Sequence, residues 1–148
     1  MENTTLIFKE KFCALLSFLR QTREKFELVT EEMDDDHLRV TLRGLAVETS
    51  QYEQELSSQM QSLNIRDNYM PSICNCDELL KNIQSIMTAE SIKEILETCT
   101  KTETYFEKAY RNVLNEYFPY QCLRDILVYQ LNGIKCTFMK MKLLNSML

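Results

Sequence analysis

The sequence predicts an all-α protein: a four-helix bundle of two helical hairpins joined by a long crossover that contains a short helix. Three observations lead there. Over four long stretches apolar residues recur in alternating steps of three and four, the spacing that lines one face of a helix. Only Gly44, Gly133, Pro71 and Pro119 represent the two turn-forming residue types in 148 positions, where average usage gives about 10 Gly and about 7 Pro, too few for a sheet-rich fold. The chain is 45% hydrophobic and 26% charged. At this length roughly 70% of the unfolded surface can leave water, so one core suffices, residues 1–148 form a single domain and intrinsic disorder is excluded.

The first helix is carried by Phe8, Phe12, Leu15, Leu19, Phe26, Val29 and Met33, a seam interrupted only by Thr22. Asp34, Asp35 and Asp36 end it and supply an N-cap for the next, because a short carboxylate accepts from the free N–H groups of a first turn. The second helix runs from about His37 to Leu63. It turns Leu38, Leu42, Leu45, Tyr52, Leu56 and Leu63 inward, with Thr49 and Gln59 as polar members of the stripe and Arg39, Arg43, Glu53 and Gln54 outside.

Asn64 to Cys76, with Asn68, Pro71, Ser72 and Asn75, reads as a loop of about a dozen residues, a length at which loops become unusual. Asp77 to Met87 follows as the short helix. Thr88, with Ser91 three residues on, offers an N-cap for the third long helix, which bears Ile92, Ile95, Cys99, Phe106, Ala109 and Val113 and stops at Tyr117-Phe118-Pro119. The fourth presents Leu123, Leu127, Leu131, Ile134, Phe138 and Met141, and Leu143, Leu144 and Leu148 are expected to continue its stripe and fray. Two hairpins linked by a long crossover is the ferritin-like connectivity among bundle topologies. The hairpins also repeat weakly: Phe26 with Leu38, Leu42, Leu45 and Glu48 echoes Tyr110 with Leu123, Leu127, Gln130 and Gly133.

Charge and processing signals narrow the function classes. With 22 acidic against 17 basic side chains and no Lys/Arg run longer than two, the chain lacks the electrostatic footprint of a nucleic-acid binder. The start carries Glu2 and Glu10 and no basic, apolar and small-residue succession of a secretory signal. No apolar stretch approaches the roughly 18 residues of a membrane span, so a soluble, cytoplasmic protein is expected. In that compartment Cys13, Cys74, Cys76, Cys99, Cys122 and Cys136 are expected mainly as free thiols, with Cys13, Cys99 and Cys136 on apolar helix faces as small hydrophobes.

Leu38 to Glu48 (LRVTLRGLAVE) with Tyr52 and Leu56, Ile95-Leu96-Glu97 with Lys108-Ala109-Tyr110-Arg111, and Leu123-Arg124-Asp125-Ile126-Leu127 with Gln130-Leu131 give the chain a likeness to a known family. Across most of its length it resembles a bacterial family of ferritin-like four-helix-bundle proteins of unknown function. The resemblance implies the fold and brings no established activity. Membership of the wider ferritin-like group also implies a question, whether a di-iron carboxylate site survives.

Such a site takes one Glu from each of two helices and a Glu-x-x-His pair from each of the other two. His37 is the one histidine, so two such pairs cannot exist. Glu48-Thr49-Ser50-Gln51 occupies the expected place on the second helix with Gln51 where His should stand, and the fourth helix offers Gly133-Ile134-Lys135-Cys136, without a carboxylate. Pairing across the first turn sets Glu48 near Thr22, with Glu24 the nearest acid, and Glu103 and Glu107 face Gly133 from the third helix. The bland expectation for these carboxylates is surface charge, and for His37, behind three aspartates, a solvated helix start.

Cys74-Asn75-Cys76 could hold a soft metal or a strained disulfide, but no second ligand pair lies near it in sequence. No phosphate-cradling Gly-rich loop, nucleophile elbow or HExxH occurs. Tyr105, Tyr110, Tyr117, Tyr120 and Tyr129 cluster in the second hairpin, as core and rim or as an aromatic surface for another subunit.

The leading expectation is therefore a non-catalytic ferritin-like bundle that self-associates or serves as an accessory protein, binds a protein partner and needs no cofactor. The alternative is a metal-binding or di-iron carboxylate protein, handling or oxidising iron through an incomplete cluster of Glu24, Glu48, Gln51, Glu103 and Glu107. A small-molecule site at a polar gap of Thr22, Thr49 and Thr102 ranks last, because polar seam residues also simply set helix register.

Overall fold

The computed structural model describes residues 2–63, 77–89, 91–116 and 120–146, and these are helical with short connections and no strand. Four long helices and one short one follow in order: α1 (Glu2–Glu32), α2 (Asp36–Ser62), α3 (Asp77–Gln84), α4 (Ile92–Leu114) and α5 (Gln121–Ser146), with a 3₁₀ turn over Ser85–Thr88. The predicted loop from Asn64 to Cys76, including Cys74 and Cys76, and the Tyr117-Phe118-Pro119 stop lie outside the described residues.

Local chemistry accounts for the helix starts. Asp35 is extended at φ −74° and ψ 118°, and its Oδ1 accepts from the Leu38 N–H at 2.9 Å, relieving one of the unpaired donors of the first turn of α2. Ser91 does the same for α4, accepting from the Glu94 N–H at 3.2 Å. Thr88 instead closes the 3₁₀ turn, its hydroxyl donating to the Ser85 carbonyl.

The long helices contact one another in a ring, α1 on α2, α2 on α5, α5 on α4 and α4 on α1, with the hairpin contacts the most extensive. Each neighbouring pair is antiparallel: the ion pair Lys11–Glu116 and the edge-on rings Phe18–Phe106 (5.1 Å between centroids) link α1 to α4. Glu103–Lys142 (2.6 Å) and Glu107–Lys135 (3.2 Å) link α4 to α5. The core lies inside this ring. All six expected core residues of α5 (Leu123, Leu127, Leu131, Ile134, Phe138 and Met141) are buried, as are Phe8, Phe12, Leu15, Leu19, Phe26 and Val29 of α1 and Met33 just past its end.

Three expectations about faces are corrected. On α1 burial spreads beyond one seam to Cys13, Leu16, Ser17 and Phe18, because α3 and the 3₁₀ turn pack on α1 as well as α2 and α4 do. Asn82 pins α3 to α4 through its amide, which donates to the Thr98 carbonyl (3.1 Å) and the Thr102 hydroxyl (2.8 Å). Leu143 does not continue the α5 stripe but is 59% exposed, since two residues past Met141 a helix has turned through about 200°. Cys136 is likewise exposed, whereas Cys13 and Cys99 are buried.

The polar members of the core mostly satisfy themselves. Thr30, Thr49 and Thr102 donate to the carbonyls four residues back, so the polar gap expected at Thr22, Thr49 and Thr102 closes on its own helices at two of its three members. Thr22 is the exception, fully buried with its hydroxyl unpartnered. An orphaned buried hydroxyl costs about 1–3 kcal/mol, and an isosteric methyl removes that cost. Thr22→Val is therefore expected to stabilise the protein by about 1 kcal/mol, read from the shift of a urea unfolding midpoint at unchanged slope; a loss of stability would mean the hydroxyl is used.

Candidate functional site

The carboxylates singled out in the sequence do not converge. Glu24 is exposed at 59% and lies 3.9 Å from Arg23, its side chain turned from the interior. Glu103 is held by Lys142, and Glu107 by Arg111 and Lys135, which keep its carboxyl below the usual range. Gln51 is exposed. Among the described residues no three His, Cys, Asp or Glu side chains come together as a metal-holding group. Among the described residues the donor set does not assemble the shared carboxylates and Glu-x-x-His pairs of a di-iron centre.

Glu48 occupies a different place from the one expected. It faces α5, not Thr22 and Glu24 on α1. The acid that meets α1 is Glu53, assigned to the outer face from sequence but buried, where it accepts from Arg20 Nε at 3.0 Å and Arg23 Nε at 3.2 Å. The reason is register: these contacts pair residues about one helical turn further along α2 than a tight turn at Asp35 implies. Arg23 also reaches Glu27 at 3.2 Å, so the α1–α2 seam is closed by a charge-assisted network.

The α2–α5 seam is a hydrogen-bonded joint. Thr137 donates to Glu48 Oε1 at 2.7 Å, and the Tyr52 hydroxyl donates to Glu48 Oε2 at 3.0 Å. About two turns away Gln130, fully buried, accepts from the Tyr110 hydroxyl at 2.7 Å and donates to Glu55 Oε1 at 3.1 Å. Three helices thus meet through one ladder of side-chain hydrogen bonds. Gly133 makes room for it, since a Cβ at that position would lie 2.2 Å from the Tyr52 hydroxyl oxygen.

Sequence reasoning found Glu48, Tyr52 and Gly133 individually but missed Glu53, Glu55, Thr137 and the ladder role of Gln130. One signal was present. A glycine inside a helix costs about 1 kcal/mol relative to alanine and marks a close approach, and Gly133 is the sole glycine on α5.

Outside this joint the surface is unusual. Val40 (66%), Val47 (51%), Val128 (40%), Tyr129 (69%), Met139 (55%) and Leu143 (59%) on α2 and α5 are exposed, as are Ile7 (43%) and Leu28 (54%) on α1. Gly44, Val47 and Gln51 of α2 border a shallow groove of about 430 Å³ whose far wall is Thr137, Lys140 and Met141. The tyrosines divide: Tyr110 is core, Tyr105 and Tyr120 are half-buried, and Tyr129 belongs to this surface, while Tyr117 is outside the described residues.

Two outcomes follow from the joint. Gly133→Ala is expected to destabilise the protein because its methyl displaces the Tyr52 hydroxyl. In a Tyr52→Phe background, where the nearest ring carbon is 3.4 Å away, the same change is expected to be neutral or to gain up to about 1 kcal/mol of helix propensity. Equal effects in both backgrounds, measured by a double-mutant cycle, would deny the close approach.

The second concerns pH. Burial pushes the Cys99 thiol from 9.0 up to about 11, with smaller opposing effects of Lys142 and Glu103. Burial, then the charge of Glu48, raises the Tyr52 hydroxyl, and burial raises that of Tyr110. Unfolded, these groups lose protons at their ordinary pKa; folded, they hold them, so stability falls as pH rises above about 9. Cys99 alone contributes a loss on the order of 2–3 kcal/mol by pH 11. Urea unfolding between pH 8 and 11 checks this, with a shallower decline expected for Cys99→Ala and an unchanged one contradicting it.

Compared with protein-family models, curated proteins and solved structures, the chain matches none of them.

Proposed function

We propose that this protein is a non-catalytic interaction module: a four-helix bundle of ferritin-like connectivity, with a degenerate di-iron site, that works by self-association or as an accessory chain to another protein in the cytoplasm. The proposed connectivity is supported by the antiparallel ring of contacts, in which α2 and α4 run in the same direction and need a crossover of helix length between them. A place beside the bacterial ferritin-like family that the sequence resembles is part of this proposal. The carboxylates that an iron site would use are instead spent on hydroxyls, lysines and arginines.

The observation that carries the functional reading is the exposed apolar surface of α2 and α5. Along the outward line of α2, Val40, Gly44, Val47, Gln51, Gln54 and Ser58 include no charge, and on α5 Val128, Tyr129, Asn132, Cys136, Met139 and Leu143 include none either. In a chain with 26% charged residues a solvated helix face is expected to be polar and charged. Leaving these side chains in water forfeits roughly 25 cal/mol per Å² of apolar area that a partner would cover.

The test is co-purification from the protein's own cells of the wild type and a Val47→Glu, Met139→Glu variant, each tagged and shown by circular dichroism to be folded. The expected result is a companion chain in comparable amount, either a differently tagged second copy or another protein, that is lost with the variant. A wild type that retains no companion would contradict the reading.

A further inference from the structure

We infer that the bundle opens as two intact hairpins, α1–α2 and α4–α5, that part along the α2–α5 seam and turn about the edge where α1, α3 and α4 meet. The two edges joining the hairpins are built unequally. At the α1–α4 edge the ion pair Lys11–Glu116 and the ring pairs Phe18–Phe106 and Phe8–Tyr120, at 5.1 and 5.8 Å between centroids, cross from one hairpin to the other. The short helix α3 lies over this edge, with Leu79 and Ile83 buried and Asn82 bonded to Thr98 and Thr102.

The α2–α5 edge is the least extensive contact between neighbouring long helices, and among the described residues no ion pair spans it. Each hairpin, by contrast, is tied by its own ion pairs, Glu53 with Arg20 and Arg23 in the first, Glu103–Lys142 and Glu107–Lys135 in the second. Side-chain hydrogen bonds close the seam: Thr137 donates to Glu48, and Gln130 to Glu55 and to the Tyr52 carbonyl at 3.4 Å. Glu48 and Thr137 are half-buried and Glu55 is exposed in the closed bundle. Water therefore takes the place of these partners when the seam parts, and each bond contributes only a net fraction of its strength to closure. The hairpins keep their backbone hydrogen bonds and ion pairs, so only the surface facing the seam is exposed, a sub-global opening.

Thiol labelling in native buffer and sub-denaturing urea reads this opening. Ile134 of α5, next to Gly133, is fully buried, and Cys13 of α1 is 1% exposed. In the proposed movement Ile134 loses its cover while α1 keeps α2, α3 and α4 as neighbours. Two chains are compared, one retaining Cys13 alone and one carrying Ile134→Cys alone, with the remaining cysteines replaced by alanine and folding checked by circular dichroism. Leu127→Cys, equally buried on α5, serves where Ile134→Cys does not fold.

An aromatic disulfide reagent is expected to modify the seam thiol about tenfold or more faster than Cys13, with a urea dependence that is measurable but shallower than that of global unfolding. Thr137→Val, which removes a closing bond, is expected to speed the seam reaction about fivefold. Asn82→Ala, which loosens α3 from α4, is expected to speed the Cys13 reaction by a similar factor and leave the seam reaction unchanged. Equal rates and urea slopes for the two thiols would overturn the inference, because both would then report global unfolding. A seam reaction indifferent to urea or to Thr137→Val, or sped by Asn82→Ala as much as that of Cys13, would overturn it as well.

Discussion

The arrangement of the two hairpins depends on one close approach, the Tyr52 hydroxyl of α2 lying over the bare Cα of Gly133 on α5. With any Cβ at residue 133 the hydroxyl and the methyl would stand 2.2 Å apart, well inside van der Waals contact. Because the glycine is there, Tyr52 and Thr137 together satisfy both oxygens of the half-buried Glu48 carboxylate. Gln130 repeats the arrangement about two turns along, joining Tyr110 of α4 to Glu55 of α2. Hydrogen-bonded joints of this kind fix register where an apolar seam would allow sliding.

The rest of the fold divides between this polar joint and an apolar one. On the α1 side the contacts are with α2, α3 and α4, and α1 is buried around most of its circumference between Phe12 and Leu19. On the α5 side, α5 touches only α2 and α4 among the described helices, and its outward line from Val128 to Leu143 has no covering element among them. The short helix α3 lies across α1 and α4, one helix of each hairpin, and the α2 and α5 side is left without a covering helix among the described residues. That asymmetry is the physical basis of the proposal that the molecule works through a surface rather than a cavity.

Periodicity made the helices legible because each long helix buries a stripe at helical spacing, and the aspartates at 34–36 announced the start of α2 by side-chain chemistry alone, whereas the cap of α4 is Ser91, three residues beyond the expected Thr88. What periodicity could not carry was the second neighbour of a helix. Cys13, Leu16 and Phe18 look redundant beside the Phe12–Leu15–Leu19 seam until α1 is seen to pack against α3 and α4 as well as α2, with Phe18 edge-on to Phe106 of α4. Leu143 looks like core until the register of α5 is known. The site was legible only in its parts: Glu48 and Gly133 were noticed, one as a ligand candidate and the other as a missing ligand, and their adjacency gives both a different meaning. Glu53, read as outward, became the buried partner of two arginines because the α1–α2 register is shifted by about a turn.

Glu48 is where the two readings of this molecule part. As the acceptor at the centre of the joint it has both oxygens committed to hydroxyls, whereas a metal ligand would have to give them up. Elemental analysis of protein purified without chelator, followed by a ferrous-iron titration of wild type and Glu48→Ala, decides between them. A structural role for Glu48 predicts no stoichiometric iron in either protein; near-stoichiometric iron bound by the wild type and lost in Glu48→Ala would contradict that role.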